Sequence, residues 1–259
     1  MQHYQNYQNF LVVLRFLGTN YHGWQIQKNA LSIQEIFQNA LFKVIKHKTD
    51  IKACSRTDSG VHANKFCVNF KTNILIKPKN LILAINKFLP GDVKIIDCMK
   101  VPENFHARYS CTKKEYIYKI YNHKILDPFM HNRSFHFWYP IDLNLINNIC
   151  KIFLGYHDFS AFCSFDNREK NNMCRNINYL AAERDKNNEN IIEFKIQADG
   201  FLYNMVRIII GTLLKANYKK MNCFDVKNIL ESKNRALAGD TLPACGLYLN
   251  RIFYGELII

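Results

Sequence analysis

The sequence predicts an α+β protein built as two similar β-α-β-β-α-β halves, each with a mostly antiparallel sheet and helices on one face. Three observations carry this. Short apolar runs and apolar–polar alternations are interleaved with segments whose apolar residues recur at helical spacing. Their order in the first half is β-α-β-β-α-β, and the second half repeats it with insertions. The chain has 259 residues, 48% of them hydrophobic with 19 Phe and 14 Tyr, enough for one large core or two smaller ones.

The first element is the apolar run Phe10 to Leu17, ended by Gly18, which reads as a largely buried strand. A loop from Thr19 to Lys28 follows, with Gly23-Trp24-Gln25 at its centre. Ser32 and Glu35 have capping-box spacing, and behind them Ile33, Ile36, Phe37, Ala40, Leu41, Val44 and Ile45 lie on one helical face. A short strand near Ile51 to Cys54 leads into Ser55-Arg56-Thr57-Asp58-Ser59-Gly60-Val61-His62. Phe66, Val68 and Phe70 then alternate with Cys67 and Asn69, the pattern of a half-buried strand. Pro78 opens a helix through Leu81, Ile82, Ile85 and Phe88, stopped by Pro90-Gly91, and Val93 to Val101 is a strand.

In the second half, Tyr116 to Tyr121 is a strand and Ser134 to Tyr139 an inserted one. Asp142 caps a helix presenting Leu145, Ile149, Ile152 and Phe153 that stops at Gly155. Strands near Asn176 to Arg184 and Ile191 to Ala198 precede a helix from about Phe201 to Ala216, a small helix from about Phe224 to Ser232, and a last strand, Leu247 to Phe253. Each half is thus a split β-α-β (ferredoxin-like) unit. The boundary falls near Pro102 to Ser110, giving domains 1–107 and 108–259 with a cleft expected between them.

Lys and Arg outnumber Asp and Glu by 35 to 21, for a formal charge of +14 and a pI near 9.3. A protein this basic suits a polyanionic partner, nucleic acid first, although a lysine-rich composition gives the same balance. Nine Cys without a Cys-x-x-Cys pair argue against a zinc ribbon or finger and against a disulfide framework. Met1 to Asn6 is polar with no apolar signal core, and the apolar stretch Met205 to Leu214 carries Arg207 and is too short for a bilayer. The expectation is a cytoplasmic protein with no metal. A broad basic surface suits a folded RNA, which is read through shape, phosphates and 2′-hydroxyls. Lys113, Lys114, Arg168, Lys170, Arg175, Lys219 and Lys220 are candidates for it, each individually more often a solvated charge.

On its own, Asp58 in Thr57-Asp58-Ser59-Gly60 is a turn residue. The nearby Arg56 and a position between a strand end and a strand start add a functional reading. Arg56-Thr57-Asp58-Ser59-Gly60-Val61-His62 closely resembles the Arg-Thr-Asp-Ala-Gly-Val-His signature of the tRNA pseudouridine synthase A family. Further blocks agree in order: Gly23-Trp24-Gln25-x-Gln27, Leu89-Pro90-Gly91-Asp92-Val93, Asn104-Phe105-His106-Ala107-Arg108, Tyr116-x-Tyr118, Tyr121-Asn122-His123, Met205-Val206-Arg207 with Gly211, and Pro243-Ala244-x-Gly246-Leu247-Tyr248-Leu249. They span almost the whole chain.

The resemblance implies the pseudouridine synthase fold, a homodimer, no cofactor, and isomerisation of uridine at positions 38, 39 and 40 of the tRNA anticodon stem-loop. It implies that Asp58 is the catalytic carboxylate and that three residues bind substrate. Tyr116 packs on the target uracil, Arg207 pairs with the aspartate, and Arg56 helps turn the base out of the helix. The chain departs from the family at Ser55, where Gly is common, at Ser59, where Ala is usual, and at Leu17, where an Asp is common. His22, His62 and His106 have no clustered spacing and read as RNA-contact or structural residues. Two other readings stand beside this one: a pseudouridine synthase acting at other tRNA positions or on another RNA, and a non-catalytic RNA-binding protein on the same scaffold.

Overall fold

The structure is a computed structural model that describes residues 7–164 and 172–259. It is mixed α+β with mostly antiparallel pairing, as expected, and divides into two compact units, Met1–Thr112 with Leu249–Ile259, and Lys113–Tyr248.

In the first unit the order is β1 (Gln8–Phe16), α1 (Ile33–Ile45), β2 (Lys52–Ala53), β3 (His62–Thr72), α2 (Pro78–Asn86) and β4 (Val93–Val101). β1 is central, antiparallel to both β3 and β4, with Phe10 opposite Phe70 and Val12 opposite Val68 on one side. A strand flanked on both edges and covered on both faces buries nearly every side chain, and residues Phe10 to Leu14 are all buried. α1 begins where Ser32 Oγ accepts the Glu35 amide, and ends at Lys46 in the left-handed region, φ 59°. It buries Ile33, Phe37, Ala40, Leu41 and Ile45 against the sheet. Phe37 meets Phe70 at 6.4 Å between ring centres, and Trp24 stacks on Phe66 at 4.4 Å. Burying a ring of this size is worth enough that Phe37→Ala would cost about 3–5 kcal/mol.

Two expectations change here. β3 is not half-buried: Cys67 and Asn69 are as enclosed as Phe66, Val68 and Phe70. Cys67 lies against Cys54, and Asn69 is matched by the Asn9 side chain and by main-chain groups of residues 105 and 107, so its polar face has no need of water. α2 ends at Asn86, leaving Phe88 exposed with the Lys43 ammonium 5.2 Å over its ring.

The second unit contains β5 (Lys113–Tyr121), β6 (Phe135–His136), α3 (Leu143–Cys150), β7 (Gly155–Asp158), β8 (Cys174–Arg184), β9 (Ile191–Ala198), α4 (Met205–Lys219) and α5 (Cys223–Ser232). β5-β9-β8-β7 run antiparallel in that order, and β6 adds a short parallel pairing to β5. Asp142 caps α3 through the amides of Asn144 and Leu145. Of the expected apolar face of α3, Ile149 and Phe153 are buried while Leu145 and Ile152 are half-buried; Ile146 and Cys150 complete the buried face, and the helix passes into a 3-10 turn, Lys151–Phe153. α4 buries residues on all sides, which is why its sequence lacks a clear polar face. β10 (Leu247–Tyr254) then enters the first unit, beside β3 and followed by β11 (Leu257–Ile258), so the chain's last strand joins the unit in which the chain begins.

Candidate active site

The loop bearing Asp58 leaves β2 at Cys54, whose amide donates to the Cys67 carbonyl at 2.9 Å. From there to β3 the loop rests on the main chain of residues 18–24. The Trp24 amide donates to the Thr57 carbonyl (3.1 Å), the Gly60 amide to the Tyr21 carbonyl (3.2 Å), and the Gly18 amide to His62 Nδ1 (2.9 Å). Inside the loop the Val61 amide closes on the Asp58 carbonyl at 3.2 Å, with Gly60 at φ 78°. Contact is close enough to exclude a Cβ: one on Gly18 would lie 2.0 Å from the Val61 carbonyl oxygen. One on Gly23, itself at φ 78°, would lie 2.3 Å from that of Thr57.

This main-chain bed orients the side chains. Thr57 is buried, Asp58 half-buried and Arg56 exposed, so carboxylate and guanidinium sit two residues apart at a loop surface. His62 is fully buried and its Nδ1 accepts a main-chain amide, so it is a structural residue with its proton on Nε2. The bed is in turn tied to β4: Tyr21 Oη donates to Asp92 Oδ1 at 2.6 Å, and the Leu17 amide to the Asp92 carbonyl at 2.9 Å. Burial first, then the bond to Asp92 and its charge, push the Tyr21 phenol well above its ordinary range and keep it a donor. The departures from the family pattern are accommodated. Neither Ser55 nor Ser59 has a positive φ, and Ser59 Oγ adds a 3.4 Å contact to the Tyr21 carbonyl. Leu17 is held through its backbone.

In the second unit Tyr116 and Tyr118 share a face of β5 by strand alternation. Tyr116 is opposite Ile196 and meets Phe201 edge-on at 5.1 Å and 87°. Tyr118 is fully buried and donates to the Pro243 carbonyl at 2.8 Å. Burial drives its phenol far up, Cys245 adds to this, and the charge of Arg207 opposes it. Arg207 differs from expectation in place: it is the third residue of α4, not mid-helix. The helix starts at Met205 because Asn204 has φ 62°, which helical backbone does not adopt. Arg207 Nε donates to the Leu242 carbonyl (2.5 Å) and Nη1 to Asn204 Oδ1 (2.7 Å), while Asn204 Nδ2 donates to Ser164 Oγ (3.0 Å).

What brings the Leu242 and Pro243 carbonyls to these side chains is a close crossing of α4 by residues 239–243. A Cβ on Gly211 would lie 2.0 Å from the Asp240 carbonyl oxygen, and one on Gly239 would lie 2.4 Å from the Gly211 carbonyl carbon. Thr212 Oγ1 accepts the Gly239 amide (2.8 Å) and donates to the Ile208 carbonyl (2.8 Å). Residue-type reasoning about chemistry missed Asn204, Leu242, Tyr21 and Asp92. The last two act through one hydroxyl–carboxylate bond, and Leu242 acts only through its backbone.

The first unit therefore carries Arg56 and Asp58, and the second Tyr116 and Arg207. Of the basic candidates, Lys219 and Lys220 are exposed, and Lys113, Lys114 and Arg175 are half-buried. Arg175 is turned onto the Asn172 and Cys174 carbonyls. Arg168 and Lys170 lie outside the described residues. Among the described residues no group of three or more His, Cys, Asp or Glu is arranged to hold a metal ion, and no helix is long and apolar enough to cross a membrane.

The first unit thus carries a carboxylate on a loop fixed by main-chain bonds, and the second a tyrosine and an arginine tethered through Leu242 and Asn204, on a mixed α+β scaffold. Comparison with known proteins is consistent with this. The family model described as tRNA pseudouridine synthase matches residues 12–110 and 149–255. The chain is 42% identical over 247 residues to a tRNA pseudouridine synthase A of Thermoanaerobacter sp. (strain X514), 40% over 247 residues to one of Acetivibrio thermocellus, and 39% over 247 residues to one of Clostridium acetobutylicum. Each alignment covers 95% of this chain and all of the relative. The chain belongs to the tRNA pseudouridine synthase family, and with it is an isomerase acting on tRNA.

Proposed function

We propose that the protein converts uridine to pseudouridine at positions 38, 39 and 40 of the tRNA anticodon stem-loop, with Asp58 as the group that starts the reaction. The observation that carries the assignment is the Arg56 to His62 segment. It keeps the family's Arg, Asp, Gly and His, and holds a half-buried carboxylate on a loop fixed by main-chain bonds.

The reaction breaks the N1–C1′ bond, turns the uracil, joins C5 to C1′ and removes the C5 proton. Substrate and product are isomers, so no electrons, phosphoryl group or water are consumed. An ionised carboxylate serves as nucleophile or as the base that starts glycosidic cleavage. Arg207 is the cation assigned to keep it ionised. Its place in the first turn of α4 supports this role: a cation beside a helix's positive end gains from an anion nearby. The target base must leave its stack, costing a few kcal/mol. Tyr116 is assigned the offsetting contact, since base–aromatic stacking is worth ~1–3 kcal/mol. Arg56, exposed at the loop surface, is assigned to base extrusion. The same reading takes the protein as a homodimer acting in the cytoplasm, with no cofactor.

The experiment is release of tritium from tRNA labelled at uracil C5, followed by mapping of the modified positions. Release with modification at 38 to 40 is expected. Modification elsewhere, or in another RNA, replaces the positional assignment; tRNA binding without release makes the protein a non-catalytic binder.

A further inference from the structure

The loop between β4 and β5 presents exposed side chains on a backbone tied down by buried hydrogen-bonding groups. Two asparagines, each 4% exposed, hold it from beneath. Asn9 Nδ2 donates to the carbonyls of Pro102 (2.9 Å) and Phe105 (3.1 Å). Asn69 Nδ2 donates to Asn9 Oδ1 (3.0 Å) and to the Phe105 carbonyl (3.2 Å), and Asn69 Oδ1 accepts the Ala107 amide (2.7 Å). Tyr254 completes the base: its hydroxyl donates to the Ala107 carbonyl at 2.9 Å and its ring meets Phe105 edge-on at 5.0 Å. Burying two asparagines is costly unless every polar atom is matched, and here they are spent on the backbone of one loop.

Above this base the loop folds on His106. Its Nδ1 accepts the amides of Arg108 (3.1 Å) and Tyr109 (3.3 Å), and residues 106 and 110 exchange bonds through the His106 amide to Ser110 Oγ and the Ser110 amide to the His106 carbonyl. With Nδ1 accepting, Nε2 carries the proton and is a donor. The imidazole packs against Tyr109 at 4.4 Å between ring centres, tilted by 37°, and the Arg108 guanidinium lies 5.9 Å from the Tyr109 ring centre. Tyr109 is nonetheless 78% exposed, and Arg108 is exposed too. The substrate roles assigned above fall on Asp58, Tyr116, Arg207 and Arg56, not on this loop.

We propose that His106, Arg108 and Tyr109 form a preorganised contact for the tRNA substrate at a nucleotide other than the target uridine, with Arg108 on a phosphate and Tyr109 packed on a sugar or base. This rests on tRNA being the substrate. A planar guanidinium next to an aromatic face is the pairing that RNA takes by stacking and phosphate bonding together. A chain of net charge +14 already draws the polyanion. A loop held rigid in advance loses little conformational freedom on binding, which is what the buried asparagines supply.

The test compares wild type with Arg108→Ala, Tyr109→Ala and, as a control, the exposed Lys186→Ala. Readouts are equilibrium binding of unmodified tRNA across a salt series, KM and kcat for tritium release, and sedimentation. Arg108→Ala and Tyr109→Ala are each expected to raise Kd and KM roughly fivefold or more. The change should lie in KM rather than in the rate at saturating tRNA. Arg108→Ala should also flatten the slope of log K against log salt by about 0.7–0.9, the value of one phosphate contact. The proposal is overturned if Kd stays within twofold in both variants or if Lys186→Ala weakens binding equally. It is also overturned if only the saturated rate falls, or if the variants change sedimentation, which would make the loop a contact between copies. Binding is read without turnover, so a protein that binds tRNA but releases no tritium would sink the isomerase assignment and leave this comparison intact.

Discussion

Arg207 Nε reaches the Leu242 carbonyl at 2.5 Å, so the orientation of a charged side chain on α4 is set by a backbone oxygen 35 residues further along the chain. Because Nη1 is also engaged, on Asn204, two of the guanidinium's nitrogens serve to aim the group. Lysine keeps the charge but cannot make both bonds from one rigid plane. Arg207→Lys is therefore expected to lower kcat for tritium release by at least about tenfold while the urea midpoint shifts by less than the equivalent of about 1 kcal/mol. Equal activity in the lysine variant would show that charge alone suffices.

Asp58→Asn keeps the size and shape of the side chain while removing its charge. Tritium release should fall by a factor of about 10²–10⁴, the range associated with loss of a positioned acid–base or nucleophilic group, with tRNA affinity held within a few-fold. Single-turnover kinetics with excess enzyme separate the two. A variant with near wild-type release would remove Asp58 from the reaction.

Gly211 and Gly91 make a matched pair. A methyl at Gly211 would collide with the Asp240 carbonyl, whereas nothing lies within 4 Å of one at Gly91. Gly211→Ala is expected to destabilise by about 1–3 kcal/mol or more, as forced overpacking does. It should also reduce activity, because residues 239–243 must move away from Arg207 and Tyr118. Gly91→Ala should leave the denaturation midpoint unchanged or slightly raised. Equal midpoints for the two would contradict the close crossing.

The thiols give a pH-dependent check. Burial, with a smaller contribution from Asp97, pushes Cys98 up to about 12, and burial pushes Cys150 up to about 12; Cys67 is raised by burial and then by neighbouring Cys54. Reaction with a disulfide reagent needs the thiolate. At pH 8 the native protein should label first at exposed Cys223, and Cys67, Cys98 and Cys150 should react only after unfolding. In the folded protein the thiolate fraction of Cys98 and Cys150 stays small at any pH well below 12. Fast labelling of Cys98 at pH 8 in the folded protein would contradict its enclosure.

Elements whose boundaries are written in side-chain pattern were legible from sequence. The apolar face of α1 and its Ser32 cap were found, and β9 was placed at its observed ends, Ile191 and Ala198. What escaped was set by backbone conformation or by partners distant in sequence. Nothing local announces that Asn204 takes the left-handed region and delays α4 to Met205, so Arg207 was placed mid-helix. Asn69 looked like a solvent-facing strand residue because its matching groups, at Phe105 and Ala107, lie 36 and 38 positions away. The Asp58 loop was recognisable by its residue types, but the bed beneath it was not, since amides and carbonyls are common to every residue.

That bed makes the geometry at Asp58 depend on chain length more than on side-chain identity. Thr19, Asn20 and His22 are exposed between the two glycines that touch the loop, and the bonds from the bed to Thr57 and Gly60 run through main-chain groups of Trp24 and Tyr21. Substitutions there should be forgiven across a sequence library. Removing or adding one residue between Gly18 and Gly23 would put the Tyr21 carbonyl and the Trp24 amide out of step with Gly60 and Thr57. The segment is thus permissive to drift in composition and intolerant of insertions and deletions, an asymmetry that deep mutational scanning would display directly.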